Sequence, residues 1–290
     1  MSLPRFFYLF FIVIIIYTFV SCEFIDPAEQ IPSYIHIDSI SLSTQGHPEY
    51  GSSSHKITDA WVYVDDELIG AFELPAKFPV LSEGTHTVTI KPGIKVNGIS
   101  ATRSIYPFYK PYVASVKLTR DSIITLNPTI TYYSSTVFKW QEAFEDGGLS
   151  LDETPFSDTT IDKTSDPTKV FEGSYSGVVH LDEARDVFEC KTINSYVLPG
   201  GDSPIFLELN YKTNEQIYIG ITANNSAQNT PIGILYINKT DTWNKIYINL
   251  RNAVSSSSNA TDYNIFFNVH KSTDNSNAEI LLDNIKLVHI

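Results

Sequence analysis

Apolar and polar residues alternate with a period of two along most of this chain, and almost nowhere with the period of a helix. In 206–212, Leu207, Leu209 and Tyr211 fall on one side, with Phe206, Glu208, Asn210 and Lys212 on the other. The same split sets Ile217, Ile219 and Ile221 against Tyr218, and Ile246, Ile248 and Leu250 against Lys245, Tyr247 and Asn249. It also sets Ile265, Phe267 and Val269 against Asn264, Phe266, Asn268 and His270. Successive side chains of a strand point to opposite sides of its sheet. Each segment therefore predicts a strand with one core-facing row and one mixed aromatic and polar row. In the first half, 34–42, 60–64, 68–73, 86–91, 104–109, 113–118 and 122–131 are short runs rich in Val, Ile, Tyr, Phe and Thr, bounded by turn residues. That punctuation predicts an all-β chain. Asp65-Asp66-Glu67 predicts a hairpin turn with an acidic tip, and the cluster Pro92, Gly93, Asn97 and Gly98 a connection over 92–100.

One stretch breaks the pattern. Behind Arg5 runs an unbroken apolar segment, 6–20, ending at Ser21-Cys22. About fifteen residues at roughly 1.5 Å each fall short of a ~30 Å hydrocarbon core, so a cleaved secretory signal is favoured over a spanning helix. Phe19-Val20-Ser21-Cys22 resembles the lipobox of bacterial lipoproteins. The resemblance implies cleavage before Cys22 and acylation there by a diacylglycerol and a further, palmitate-type chain. It places the protein on the outer membrane, at the cell surface or the periplasmic face. Two or more chains anchor stably where one binds only reversibly. Residues 22–33, with Pro27 and Pro32 and no apolar period, predict an extended tether.

Charge narrows the partners. The 290 residues carry 33 acidic and 20 basic side chains, a net charge of −13. Loss of Arg5 with the signal deepens the imbalance, and no basic cluster is visible along the sequence. Such a surface repels phosphate backbones, which argues against nucleic acid. Cys22 and Cys190 are the two cysteines. With Cys22 acylated, no internal disulfide is left, and Cys190, inside Val187-Phe188-Glu189-Cys190-Lys191, reads as a small buried residue of a strand. The character of the chain changes over 133–137. The expected organisation is a signal at 1–21, a tether at 22–33, an N-terminal β-sandwich at 34–135 and a C-terminal antiparallel jelly-roll β-sandwich at 136–290.

Two further resemblances sharpen this division. Trp61 to Gly70, Glu73-Leu74-Pro75, and Leu81 through His86-Thr87-Val88 to Ile90 are similar to the PEGA-type β-sandwich repeat, with Gly70, Gly84 and Pro75 where that family places such residues. The likeness covers 58–92 and implies a structural or adhesive module. Phe144-Glu145-Asp146-Gly147, the run from Val170 through Gly173-Ser174 to Val178, Thr242-Trp243 with its strand, and Ile280-Leu281-Leu282-Asp283 with Leu287 resemble the jelly-roll carbohydrate-binding modules, or galactose-binding-like sandwiches. This resemblance implies a sugar-binding sheet face and a structural calcium held by Glu145 or Asp146 together with Asp283. Calcium takes six to eight oxygens, so backbone carbonyls near Gly173 and Ser174 would complete the set. Apart from that metal, no cofactor is expected.

The mixed rows supply the candidate ligand residues: Glu208, Asn210, Tyr218, Tyr247, Asn249, Asn268 and His270. Flat rings suit the C–H faces of sugars, and amides and carboxylates suit their hydroxyls. The alternative is the solvated outer face of an antiparallel sheet. Catalytic patterns are missing. The seven histidines are dispersed without zinc spacing, and neither a G-x-S-x-G elbow nor a P-loop occurs. The acidic pairs Glu145-Asp146, Asp152-Glu153 and Asp182-Glu183 are adjacent, so on a strand they diverge to opposite faces. The resulting expectation is a non-catalytic, lipid-anchored protein whose jelly roll binds glycan. The competing reading is a structural or assembly subunit of an outer-membrane complex that uses both β-domains as protein interfaces; a hydrolase is a third. For the anchor, Cys22→Ala should move the protein from the membrane to the soluble fraction, and retention on membranes after fractionation would refute lipidation at that residue.

Overall fold

The computed structural model describes residues 29–257 and 259–290, so the apolar run, Cys22 and most of the tether lie outside the described residues. The first half folds into β1 (Ser33–Ile37), β2 (Ser41–Leu42), β3 (Asp59–Val64), β4 (Glu67–Glu73), β5 (Ala76–Val80), β6 (Gly84–Lys95), β7 (Arg103–Ile105), β8 (Tyr112–Leu118), β9 (Ile123–Leu126) and β10 (Thr129–Ile130). The ladder β4-β3-β6-β7, with β8 also on β6, forms one layer; β5-β1-β9 and the short pair β10-β2 form the other. Ile35, Ile37 and Phe78 from one layer and Val62, Val88 and Ile90 from the other share a single core. The expected strands 34–42 and 122–131 are each broken once. β1 runs parallel to β9 and β2 parallel to β10, so the two breaks lie side by side. Pro128, which has no N–H for a ladder, marks one of them. At the acidic tip, Asp65 and Asp66 both take positive φ, 48° and 68°, as the mirror-image turns that suit hairpin twist require.

The second half contributes β11 (Val137–Glu142), β12 (Leu151–Glu153), β13 (Asp162–Thr164), β14 (Ser176–Leu181), β15 (Val187–Thr192), β16 (Ile205–Thr213), β17 (Ile217–Asn224), β18 (Asn229–Ile237), β19 (Thr240–Asn249), β20 (Asp262–His270) and β21 (Ala278–His289). One sheet runs β13-β14-β21-β16-β19 with β11 on β21, the other β12-β15-β20-β17-β18. Leu207, Leu209, Ile219, Ile221, Ile265, Phe267 and Ile280 meet between them, as the alternation predicts. The protein is thus all-β, built from two sandwiches. Among the described residues, a short α-helix, α1 (Arg251–Ser256), and a 3-10 turn, Pro48–Tyr50, escape the pattern because runs this short show no period.

The two sandwiches are joined by more than the chain. β16 is buried on both faces. Its inward row belongs to its own core, whereas Phe206, with Tyr247 of β19 and Val288 of β21, enters the core of the first sandwich. The Tyr106 ring lies 5.3 Å from Phe206 and 4.8 Å from Tyr247, centroid to centroid. The expected plain connection at 92–100 is instead strand up to Lys95 and a docking segment after it. Asn97 N–H donates to the Tyr247 carbonyl (2.8 Å), and Asn249 N–H donates to Asn97 Oδ1 (2.9 Å).

At the centre of this contact lies Glu208, fully buried. Tyr106 Oη donates to Oε1 at 2.7 Å, Tyr132 Oη lies 3.1 Å from both oxygens, and Lys245 Nζ stands 3.2 Å from Oε2. A buried carboxylate survives only with such partners, and removing one member of a buried pair leaves the other uncompensated. Glu208→Ala should therefore destabilise the folded protein by about 3–5 kcal/mol, measured by urea unfolding; a loss under ~1 kcal/mol would show that the cluster does not hold the sandwiches together.

Candidate functional site

The seven sequence-predicted ligand residues do not share one face. Glu208, Asn210 and Tyr247 are buried at 0, 2 and 1 % exposure, and half-buried Asn249 binds Asn97 through its backbone. All four belong to the outer side of the β16–β19 sheet; the first sandwich covers Glu208, Tyr247 and Asn249, and Asn210 borders a cavity at the edge of that contact. The expectation of an open ligand face there is corrected. Alternation identifies a row that avoids its own core, but not what the row meets, and here it meets a polar and aromatic row of the other sandwich. Tyr247 Oη contacts Tyr109 Oη at 3.1 Å and accepts from Lys56 N–H at 2.9 Å.

The charges at this contact are strongly coupled. Burial alone raises the Glu208 carboxyl, and the Lys245 and Lys286 ammoniums with the Tyr106 hydroxyl more than reverse this, leaving it below the ordinary carboxylate range. Lys286 Nζ donates to the Tyr50 and Ser52 carbonyls, each at 2.6 Å. Burial pushes Lys286 down to about 7 against the pull of Glu208. The Tyr106 and Tyr132 hydroxyls are pushed up, first by burial and then by the Glu208 charge.

Tyr218, Asn268 and His270 lie on the outer side of the other sheet, and that side is uncovered. β17 pairs with β18 so that Tyr218 faces Tyr236, and with β20 so that Tyr218 faces Asn268. The Tyr218 and Tyr236 rings stack at 4.4 Å and 22°, and Phe266 meets Tyr218 edge-on at 5.9 Å. Two glycines hold these rings down. A Cβ at Gly233 would collide with the Tyr218 hydroxyl, and one at Gly220 with the Phe266 ring. The result is an aromatic terrace, with Tyr236 60 % exposed at its edge. Beside it lies a cavity of about 440 Å³ lined by Tyr236, Asn268, His270, Glu215, Lys239 and Asp274 among others. Asn268 Nδ2 donates to Glu189 Oε2 at 2.9 Å, which leaves its carbonyl oxygen free to accept. Tyr236 was not singled out in the sequence because cross-strand register, which pairs it with Tyr218, is invisible there.

The residues implied for calcium do not fit that ion. Glu145 Oε1 accepts the N–H groups of Ser174 and Tyr175 at 2.8 and 2.9 Å. Asp283 accepts from Ser176 Oγ at 2.6 Å and Asn284 N–H at 2.7 Å, and burial raises its pKa to about 6. The Lys163 ammonium binds the Asp146 carbonyl, putting a fixed cation at that end. Among the described residues, no group of three or more His, Cys, Asp or Glu is placed to hold a metal. Cys190 is fully buried, and burial pushes its thiol far up. Trp140 is core, its Nε1 donating to Ser150 Oγ at 2.8 Å.

No protein-family model matches the sequence, and no curated protein matches it. Solved structures do share a likeness. A xylan-binding domain of carbohydrate-binding family 22 aligns at 12 % identity and TM-score 0.38, over 52 % of this chain and 93 % of that one. A carbohydrate-binding module of the β-sandwich superfamily aligns at 15 % and 0.39, over 90 % of this chain and 99 % of that one. A family 11 module from Clostridium thermocellum, in complex with a mixed-linked tetrasaccharide, aligns at 16 % and 0.35, over 50 % and 92 %. At these scores nothing about ligand passes to this chain.

The buried lysine has a measurable signature. Between about pH 7 and 10.5 the unfolded chain holds the Lys286 proton and the folded chain does not, so this group makes stability rise with pH; below 7 both states hold it and its contribution is flat. Up to about pH 9, before the tyrosines titrate, the rise should approach ~1.4 kcal/mol per pH unit. Lys286→Met should abolish it in urea titrations at a series of pH values. Parallel pH profiles for the two proteins would refute the assignment.

Proposed function

We propose that this protein is a non-catalytic, lipid-anchored glycan-binding protein of the outer membrane. Cys22 carries the anchor, the first sandwich acts as a spacer, and the second sandwich binds sugar on its uncovered face. The observation that supports this most strongly is the terrace of Tyr218 and Tyr236, with Tyr218 laid close over Gly233 and the cavity of Asn268 and His270 beside it. Exposed flat rings next to amide and imidazole groups match the amphipathic character of a sugar, whose C–H faces are apolar and whose rim is hydroxylated. The competing assembly reading relied partly on the Glu208 face, which the chain's own first sandwich occupies.

The experiment is a glycan array probed with the full-length protein in detergent, followed by calorimetry on the best neutral oligosaccharide. Tyr236→Ala should weaken binding by roughly threefold to tenfold, since a stacked ring contributes about 0.5–1.5 kcal/mol beyond its area. Unfolding midpoints should barely change, because Tyr236 is largely exposed. An array without signal, or undiminished affinity in Tyr218→Ala/Tyr236→Ala, would overturn the reading.

A further inference from the structure

The turn that carries the chain from β18 to β19, residues 236–240, borders three adjoining cavities. Tyr236 and Lys239 line the one beside the terrace. Tyr236 and Thr240 line a second of about 250 Å³, and Lys239 and Thr240 a third of about 780 Å³. The last two lie in the cleft between the sandwiches: Lys56 from the first and Asn244 and Lys245 from the second border both. Lys56, Lys95, Lys239 and Lys245 converge there, and Asp241 is the one acid lining either cavity. Three of these lysines are paired with carboxylates just outside the lining, Lys95 with Glu73, Lys239 with Glu215 and Lys245 with Glu208, so Lys56 is the cleft's one lysine without an acidic partner among the described residues.

Lysines at a surface do not make a site, but the floor of this cleft is unusual. Lys245, with its side chain 2 % exposed, gives its ammonium to the Glu208 carboxylate at 3.2 Å. Asn210, its cross-strand neighbour and 2 % exposed, has Oδ1 without a donor. Thr240 Oγ1 and Trp243 Nε1 also lack partners. All four residues line the larger cavity. Buried polar atoms are ordinarily satisfied, so three orphans around one cavity, Asn210 Oδ1, Thr240 Oγ1 and Trp243 Nε1, point to a ligand with hydroxyl-type groups. Among the described residues Lys56 pairs with no carboxylate; its ammonium donates to Asn244 Oδ1. Burial and then the nearby Lys95 charge loosen its proton, two penalties that an anion between the lysines offsets.

We propose that this cleft binds the carboxylate of an acidic sugar, a uronic acid residue of a glycan whose neutral rings lie on the Tyr236 side. The ligand class rests on the glycan reading above. Lys56 faces the carboxylate, and the Asn210 amide, Thr240 hydroxyl and Trp243 indole N–H meet ring hydroxyls. The Phe171 and Trp243 rings, 5.2 Å apart, supply an apolar wall. Tyr236, shared by the cleft and the terrace cavity, makes the two surfaces continuous.

The test is calorimetry of the full-length protein in detergent with tetragalacturonate and with its fully methyl-esterified form, which keeps the rings and removes the charge. The acid should bind roughly tenfold more tightly, and the preference should shrink as salt rises. Lys56→Gln should cost roughly tenfold in affinity for the acid and leave the ester unchanged. Lys239→Gln should shift acid binding in the same direction; because Lys239 pairs with the buried Glu215, its urea unfolding midpoint is measured alongside. Equal affinity for acid and ester that depends on Tyr236 overturns the cleft and leaves the terrace reading standing. Acid binding lost in Lys56→Gln but kept in Tyr218→Ala/Tyr236→Ala supports the cleft and overturns the terrace. No binding of either probe overturns the cleft proposal.

Discussion

The buried carboxylate of Glu208 organises this molecule. A charge with no access to water has to be met on every side, and the partners come from both halves of the chain: Tyr106 and Tyr132 from the first sandwich, Lys245 from the second. Neither half alone satisfies it. Isolating the second sandwich would expose Glu208 with Phe206 and Tyr247, and isolating the first would uncover the aromatic rings that pack on them. Buried ion pairs often add little net stability compared with an apolar filling. Their effect here is on specificity, because only one docking geometry brings two hydroxyls and an ammonium to the same carboxylate.

That geometry decides which surfaces remain for function. It removes one face of the second sandwich from solvent and leaves the opposite face, with Tyr218 and Tyr236, uncovered. It also brings Lys56 and Lys95 from the first sandwich beside Lys239 and Lys245 from the second. The cleft therefore belongs to neither sandwich and exists only because they are docked. The polar residues at the contact divide accordingly. Those under Tyr106 and Tyr132 are satisfied by protein groups, whereas those toward the cleft, such as Asn210 and Thr240, are left unpaired.

Much of the architecture was legible in the sequence, and the reason is the strict period of strands. Leu207, Leu209, Ile219, Ile221, Ile265 and Phe267 were assigned to a shared core from alternation alone, and they form it. The opposite rows are harder to read, because alternation reports only that a side chain avoids its own core: the row of β16 and β19 is covered by the first sandwich, and the row of β17 and β20 is open. Glu208 and His270 look alike in this respect, yet one is sealed under the first sandwich and the other lies on the outer side of the far sheet. Tyr236 was missed for a different reason. Its value lies in standing opposite Tyr218 across a ladder with a register shift, which no local pattern encodes. The lysine cleft was unreadable as well: Lys56, Lys95, Lys239 and Lys245 are spread over almost two hundred positions, in a chain whose composition argues for the opposite charge.

The docking also bears on how the proposed surfaces act together. Two weak subsites joined by a flexible linker gain from each other only through an effective concentration that falls as the linker lengthens. Here the terrace and the cleft are bordered by one short turn, residues 236–240, between strands of two different sheets. The Lys56 side of the cleft is fixed relative to that turn by the Glu208 contact. A glycan spanning both surfaces would meet them in a constant register, without ordering the protein as it binds. The dry carboxylate thus has a consequence at a distance: by joining the two sandwiches, it fixes the terrace and the cleft relative to each other.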